Sequence, residues 1–161
     1  MNILTLYNAI RDGVADDTAT KAWCQTNYTR DHKVFAGLDD QDPPDSGDTP
    51  YAYLFMDDKH VGYDLESKSH TIGIITEIYK EGTTAVSGKS NITALTGVIH
   101  NEQFRKLVET AVVTAVTGQL SADAVRKVDI AFEDSEPYPY FRSYMGFEII
   151  EDYYQGTDVF A

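Results

Sequence analysis

Asn101-Glu102-Gln103-Phe104-Arg105-Lys106-Leu107-Val108-Glu109-Thr110-Ala111-Val112-Val113-Thr114-Ala115-Val116-Thr117-Gly118 carries the strongest periodicity in the chain. Phe104, Leu107, Val108, Ala111, Val112, Ala115 and Val116 recur at i, i+3, i+4, i+7, i+8, i+11 and i+12, a wide apolar stripe along one side of a helix. Asn101 is a good capping residue and Gly118 a good terminator, so the spacing predicts a central helix over about 101–117. A stripe that wide needs a sheet or a second helix against it.

The flanking sequence offers both. Ile3, Leu6, Tyr7, Ile10 and Val14 predict an N-terminal amphipathic helix, with Asn2 as its cap and Gly13 near its end. Ala19, Ala22 and Trp23 give residues 17–25 a weaker helical spacing, and Val34–Ala36 is a short strand. Tyr51–Met56 is a continuous apolar run that reads as a strand covered on both faces. In His70–Tyr79, Ile72, Ile74 and Ile78 fall on one face, and the polar residues 57–69 read as a long hairpin connection. Val128, Ile130 and Phe132 alternate with Asp129, Ala131 and Glu133 as a half-exposed strand, and Phe141, Met145, Phe147 and Ile149 form another. The expectation is one α+β domain over 1–161: a mainly antiparallel sheet of four to five strands packed against the N-terminal and central helices. Residues 39–50 (DDQDPPDSGDTP) and 80–100 read as flexible loops.

The 161 residues include 26 Asp and Glu against 13 Lys and Arg, a net charge of −13. That balance disfavours general affinity for nucleic acid or anionic lipid, because no basic cluster exceeds the pairs Arg105-Lys106 and Arg126-Lys127. The acid is concentrated: residues 39–48 hold five Asp and residues 129–136 hold four acids, with no base in either. The single Cys24 excludes an internal disulfide and a multi-cysteine metal site, and reads as a small core residue in a reducing compartment. With neither a leader nor an apolar run near ~18 residues, the expectation is a cytosolic protein.

Motifs for chemistry are sparse. Ser87-Gly88-Lys89-Ser90 resembles the end of a phosphate-binding loop, but Thr83 stands where that loop needs its first glycine. Asp39, Asp40, Asp42, Asp45 and Asp48 supply oxygen ligands, yet Pro43-Pro44 interrupts them and no closing Glu follows, so they read as turns bonding their own backbone. His32, His60, His70 and His100 share no metal-ligand spacing on one element. Glu133, Asp134 and Glu136 precede Pro137-Tyr138-Pro139-Tyr140, where the prolines pre-set an extended backbone and the tyrosines present rigid aromatic surface. No catalytic residue, metal ligand or cofactor is assigned.

The order of segments is more informative. An N-terminal helix, the strand Val34–Ala36, an Asp/Pro loop, Thr49-Pro50-Tyr51-Ala52-Tyr53-Leu54, the strand His70–Tyr79, the helix through Phe104–Val116 and the aromatic strand Tyr140–Ile150 together resemble the tail terminator, or tail completion, proteins of long-tailed bacteriophages. The resemblance implies a structural protein without an active site. It implies a ring, commonly a hexamer, that caps the tail tube protein and receives the head-tail connector protein, in the host cytoplasm during assembly and then in the virion. On that expectation Asp39, Asp40, Asp42, Asp45, Asp48, Glu133, Asp134, Glu136, Tyr138 and Tyr140 are interaction residues that choose partners by charge and aromatic contact. Two other classes remain: an acidic, DNA-mimicking binding module, and a small enzyme whose site converges around His70, His100 or Glu133–Glu136.

Overall fold

A computed structural model of the chain describes residues 3–37, 39–61, 67–133 and 137–152. Two helices, α1 (Ile3–Asp16) and α2 (Thr18–Tyr28), lead into strand β1 (Lys33–Ala36), then β2 (Tyr51–Val61) and β3 (Ser67–Tyr79). A small pair, β4 (Thr83–Thr84) and β5 (Ala94–Leu95), precedes the long helix α3 (Thr96–Gln119), and β6 (Val125–Glu133) and β7 (Tyr140–Asp152) complete the order. The main sheet has the order β1-β2-β3-β7-β6. Every pairing in it is antiparallel except β1 with β2, so the α+β class holds with a mixed, mainly antiparallel sheet.

Four rungs cross all five strands in register. They are Lys33-Tyr51-Glu77-Arg142-Glu133, Val34-Ala52-Thr76-Ser143-Phe132, Phe35-Tyr53-Ile75-Tyr144-Ala131 and Ala36-Leu54-Ile74-Met145-Ile130. Side chains alternate across a sheet, so the second and fourth rungs face one side and the first and third the other. On the helix side, Leu54, Ile72, Ile74, Ile78, Met145, Phe147 and Ile149 are fully buried with Leu6, Ile10, Val14, Phe104, Val108, Val112 and Val116. Each such side chain contributes about 1.5–3 kcal/mol on leaving water. Thr76 and Ser143 share this face and satisfy each other through a 2.6 Å hydroxyl contact.

The α1 stripe is as predicted, but α1 continues through Gly13 to Asp16. Gly13 serves packing rather than termination: a Cβ there would lie 2.7 Å from the Ala115 Cβ of α3, so its absence lets the two helices approach closely. The predicted cap Asn2 lies outside the described residues. Residues 17–25 do form a helix, extended to Tyr28. Asp17 caps it by accepting from the Thr20 amide at 2.7 Å. Tyr7 ties α1 to the sheet by donating to the Leu54 carbonyl at 2.9 Å.

Several boundaries need correction. The central helix begins at Thr96, five residues before the predicted cap, and Asn101 is a buried residue within it rather than a cap. Tertiary packing overrides the cap chemistry: Gly97 accepts the Phe141 ring so closely that a Cβ would meet it at 2.0 Å. The 80–100 segment therefore holds β4, β5 and the first turn of α3 as well as loop. β2 and β3 run on through much of the predicted 57–69 connection. Among the described residues, β2 is also not sandwiched between two layers. Helices cover one face, and on the other Tyr53 stacks on Phe55 and Phe55 approaches Tyr144. Phe55 lies across Gly73, where a Cβ would sit 2.3 Å from its ring.

Candidate functional site

The predicted acidic loop joins β1 to β2. Asp39 accepts from the Gln41 amide at 2.9 Å, Asp45 from the Gly47 amide at 2.6 Å, and Asp48 from the Asp45 amide at 3.0 Å. These are the self-bonded turns that the Asp/Pro/Gly composition implies. Asp48 also pairs with Lys33, and that contact holds its carboxyl below the usual range. Arg30 anchors the same end by donating to the Gly47 carbonyl at 2.8 Å and the Ser46 carbonyl at 3.1 Å. Asp39, Asp40 and Asp42 stand exposed on the Ala36 side of the loop.

Of the second predicted cluster, the structure describes Glu133, Tyr138 and Tyr140. Glu133 ends β6 opposite Arg142 on β7, and Asp134 and Glu136 lie outside the described residues. Tyr138 is exposed, accepts from the Gly82 amide at 3.0 Å and meets Phe141 edge-on. Tyr140 packs edge-on against Tyr79, with ring centroids 5.1 Å apart. The acidic loop and Glu133 thus lie at opposite edges of the sheet, β1 and β6.

What the sequence pattern misses is the exposure of β6 itself. Ile130 and Phe132 belong to the helix-side rungs, yet they are 43% and 54% exposed, and the first turns of α3 face Phe132 across an open cleft rather than packing onto it. Val98 and Ile99, in the first turn of α3, are also exposed, and Val98 faces Phe132 across the cleft on the helix side. A cleft of about 460 Å³ opens on the helix side between Val98, Asn101, Phe132 and Phe141. Another of about 410 Å³ opens on the opposite side between Ile75, Ala131, Phe132 and Tyr144. Asn101 is buried and its Oδ1 has no hydrogen-bond partner. Alternation alone places Val128, Ile130 and Phe132 on an inner face, and only the length and position of α3 decide whether that face is covered.

Elsewhere several buried polar groups of the sheet and helices are paired. Arg142 bonds Glu77 through Nε and Nη2, at 2.7 and 2.6 Å, on the face that carries no helix, and Glu77 is almost fully buried. Burial beside that carboxylate pushes the Tyr51 phenol upward. Arg105, equally buried, bonds Glu102 at 2.8 and 3.0 Å and also contacts Glu109. His32 donates to the Val14 carbonyl at 2.7 Å, His70 lies 3.7 Å from Glu151, and His100 meets the Tyr28 hydroxyl at 3.1 Å. His70 lies opposite Ile149, whose other neighbour is Val125 at the start of β6, whereas Glu133 ends β6. These two members of the imagined enzyme site are thus at opposite ends of the sheet. Among the described residues, no group of three or more His, Cys, Asp or Glu side chains is placed to hold a metal ion. Ser87-Gly88-Lys89-Ser90 forms an exposed turn, and α3 begins only at Thr96 rather than directly from it as a phosphate-binding loop requires. No protein-family model matches the chain, and no curated protein is significantly similar to it.

Proposed function

We propose that this chain is a structural assembly subunit of the tail-terminator kind, which acts by binding copies of itself and two protein partners. The observation that carries this reading is the concentration of exposed apolar side chains at one sheet edge. Ile130 and Phe132 stand exposed on β6, and Phe132 lines two clefts, one of them shared with the exposed Val98 of α3. Large apolar residues gathered at one place, with acids at the rim, characterise a protein-contact surface. The order of elements, from an N-terminal helix through to a final long aromatic strand, is the other support. In this reading the subunit forms a ring, with six members as the expected number, on the end of a finished tail tube and offers the opposite side to the head-tail connector. The exposed aspartates 39, 40 and 42 then select partners by charge. Static light scattering across a wide concentration range, with negative-stain imaging alone and on purified tail tubes, tests it. Rings or tube-end caps are expected. A monomer at every concentration that also ignores tube ends refutes the reading.

A further inference from the structure

We infer that successive copies of this chain join head to tail through the two edges of the main sheet, β6 of one copy adding to β1 of the next. This inference rests on the ring reading and specifies its interface. Three observations lead to it.

The first is direction. β1 runs with β2, and each later step of the order β2-β3-β7-β6 reverses, so β6 runs opposite to β1. A copy set beside another without inversion therefore presents β1 to β6 as an antiparallel pair. Contacts between unlike edges close into rings when the rotation between copies permits it.

The second is register. The four rungs that cross the sheet end in Lys33, Val34, Phe35 and Ala36 on one edge and in Glu133, Phe132, Ala131 and Ile130 on the other. Continuing each rung into the neighbour sets Val34 against Phe132 and Ala36 against Ile130 on the helix side. It sets Lys33 against Glu133 and Phe35 against Ala131 on the other side. Both apolar pairs cover side chains that the single chain leaves open, and a strand added along β6 roofs both flanking clefts.

The third is charge. Past Ala36 the chain turns at Gly37, whose φ is 108°, into Asp39 and Asp40. Past Ile130, in the antiparallel sense, β6 continues to Lys127 and Arg126, both exposed. The neighbour's acids thus come to the basic end of the β6 edge, where Lys127 bridges Asp129 at 2.8 Å and Arg126 lies at a bulge, while Lys33, which pairs with Asp48 in its own chain, comes opposite Glu133 at the other end. Opposite charges at both ends of the contact fix its register and direction. A long edge strand with open backbone and exposed Ile and Phe is otherwise an aggregation hazard, which pairing removes.

Mixed-cysteine cross-linking tests the geometry. Ala36→Cys and Ile130→Cys replace exposed residues, and residues directly opposite in an antiparallel pair have Cα atoms about 4.5–5.5 Å apart, within disulfide reach. Under mild oxidation, a mixture of A36C and I130C chains should give a covalent dimer that neither gives alone, and adding Phe132→Asp to the I130C chain should abolish it while its circular dichroism and Tm stay unchanged. Self-linking of I130C as the main product would establish a two-fold β6 contact and overturn the proposal. Rings that form without any A36C–I130C product overturn it as well, leaving the ring reading intact. The mixed product without rings or tube-end caps keeps the edge contact and removes the ring.

Discussion

Gly13→Ala isolates the contact that brings α1 onto α3. Alanine is the better helix former by about 1 kcal/mol, so at an open site the change would stabilise. Here the new Cβ would lie 2.7 Å from the Ala115 Cβ, whereas carbons rest at about 3.5–4.0 Å, so the helices must part by roughly 1 Å. Forcing a methyl group into such a contact costs about 1–3 kcal/mol. The net expectation is destabilisation of about 1 kcal/mol, which is about 2–4 °C in Tm for a domain of this size. Ala115→Gly alone loses about 1 kcal/mol of helix propensity. The double variant Gly13→Ala/Ala115→Gly exchanges the methyl across the same gap and should return close to the parent, a coupling of about 2 kcal/mol. Urea unfolding followed by far-UV circular dichroism reads all four corners of the cycle. A Gly13→Ala chain more stable than the parent, or a cycle that adds without coupling, would refute close helix approach as the reason for glycine.

Other consequences are equally measurable. Arg142→Ala leaves the almost fully buried Glu77 without its guanidinium and should cost about 3 kcal/mol in urea unfolding, with Glu77→Gln/Arg142→Met recovering most of it. Burial lowers the pKa of His32 below its ordinary 6.5, and likewise that of His100. A lowered folded pKa means stability that is complete above the unfolded value and lost as pH falls. The urea midpoint should therefore fall between about pH 7 and 5, and less steeply in His32→Gln. An identical slope in the variant counts against His32. Burial pushes the Cys24 thiol up to about 12, so a thiol reagent should label it only as fast as the chain opens, and immediate labelling of the folded protein would contradict its placement.

The α1 and α3 stripes and the isoleucine row of β3 were legible because each has one periodicity and one partner surface. The start of α3 was not, because Gly97 and Asn101 carry local signals for a linker and a cap, while the Phe141 ring on the helix-facing side of β7 decides the matter. β2 and β3 outrun their apolar cores because strand pairing, not hydropathy, sets their length there. The parallel β1 was hidden for a different reason. Four residues followed by an Asp/Pro loop say nothing of direction, which follows from a connection running back from Ala36 to Tyr51. The aspartate turns of the loop were readable from composition. The edge surface was not, since Ile130 and Phe132 have the same alternation as any inward-facing pair.

The place of β7 in the sheet bears on how the chain is made. β3 is bonded to β2 on one side and to β7 on the other, and Glu77 meets Arg142 across 65 residues. β6 reaches the sheet only through β7, although it is synthesised first. On the ribosome, then, the row of Ile72, Ile74 and Ile78 has one bare flank, and β6 has no strand to join, until residues 140–152 clear the exit tunnel. Non-local pairing of this kind is slow and leaves apolar strands waiting. The nascent chain therefore spends its most aggregation-prone interval with α3 already complete, and that helix is the cover available to the isoleucines until the last strand arrives.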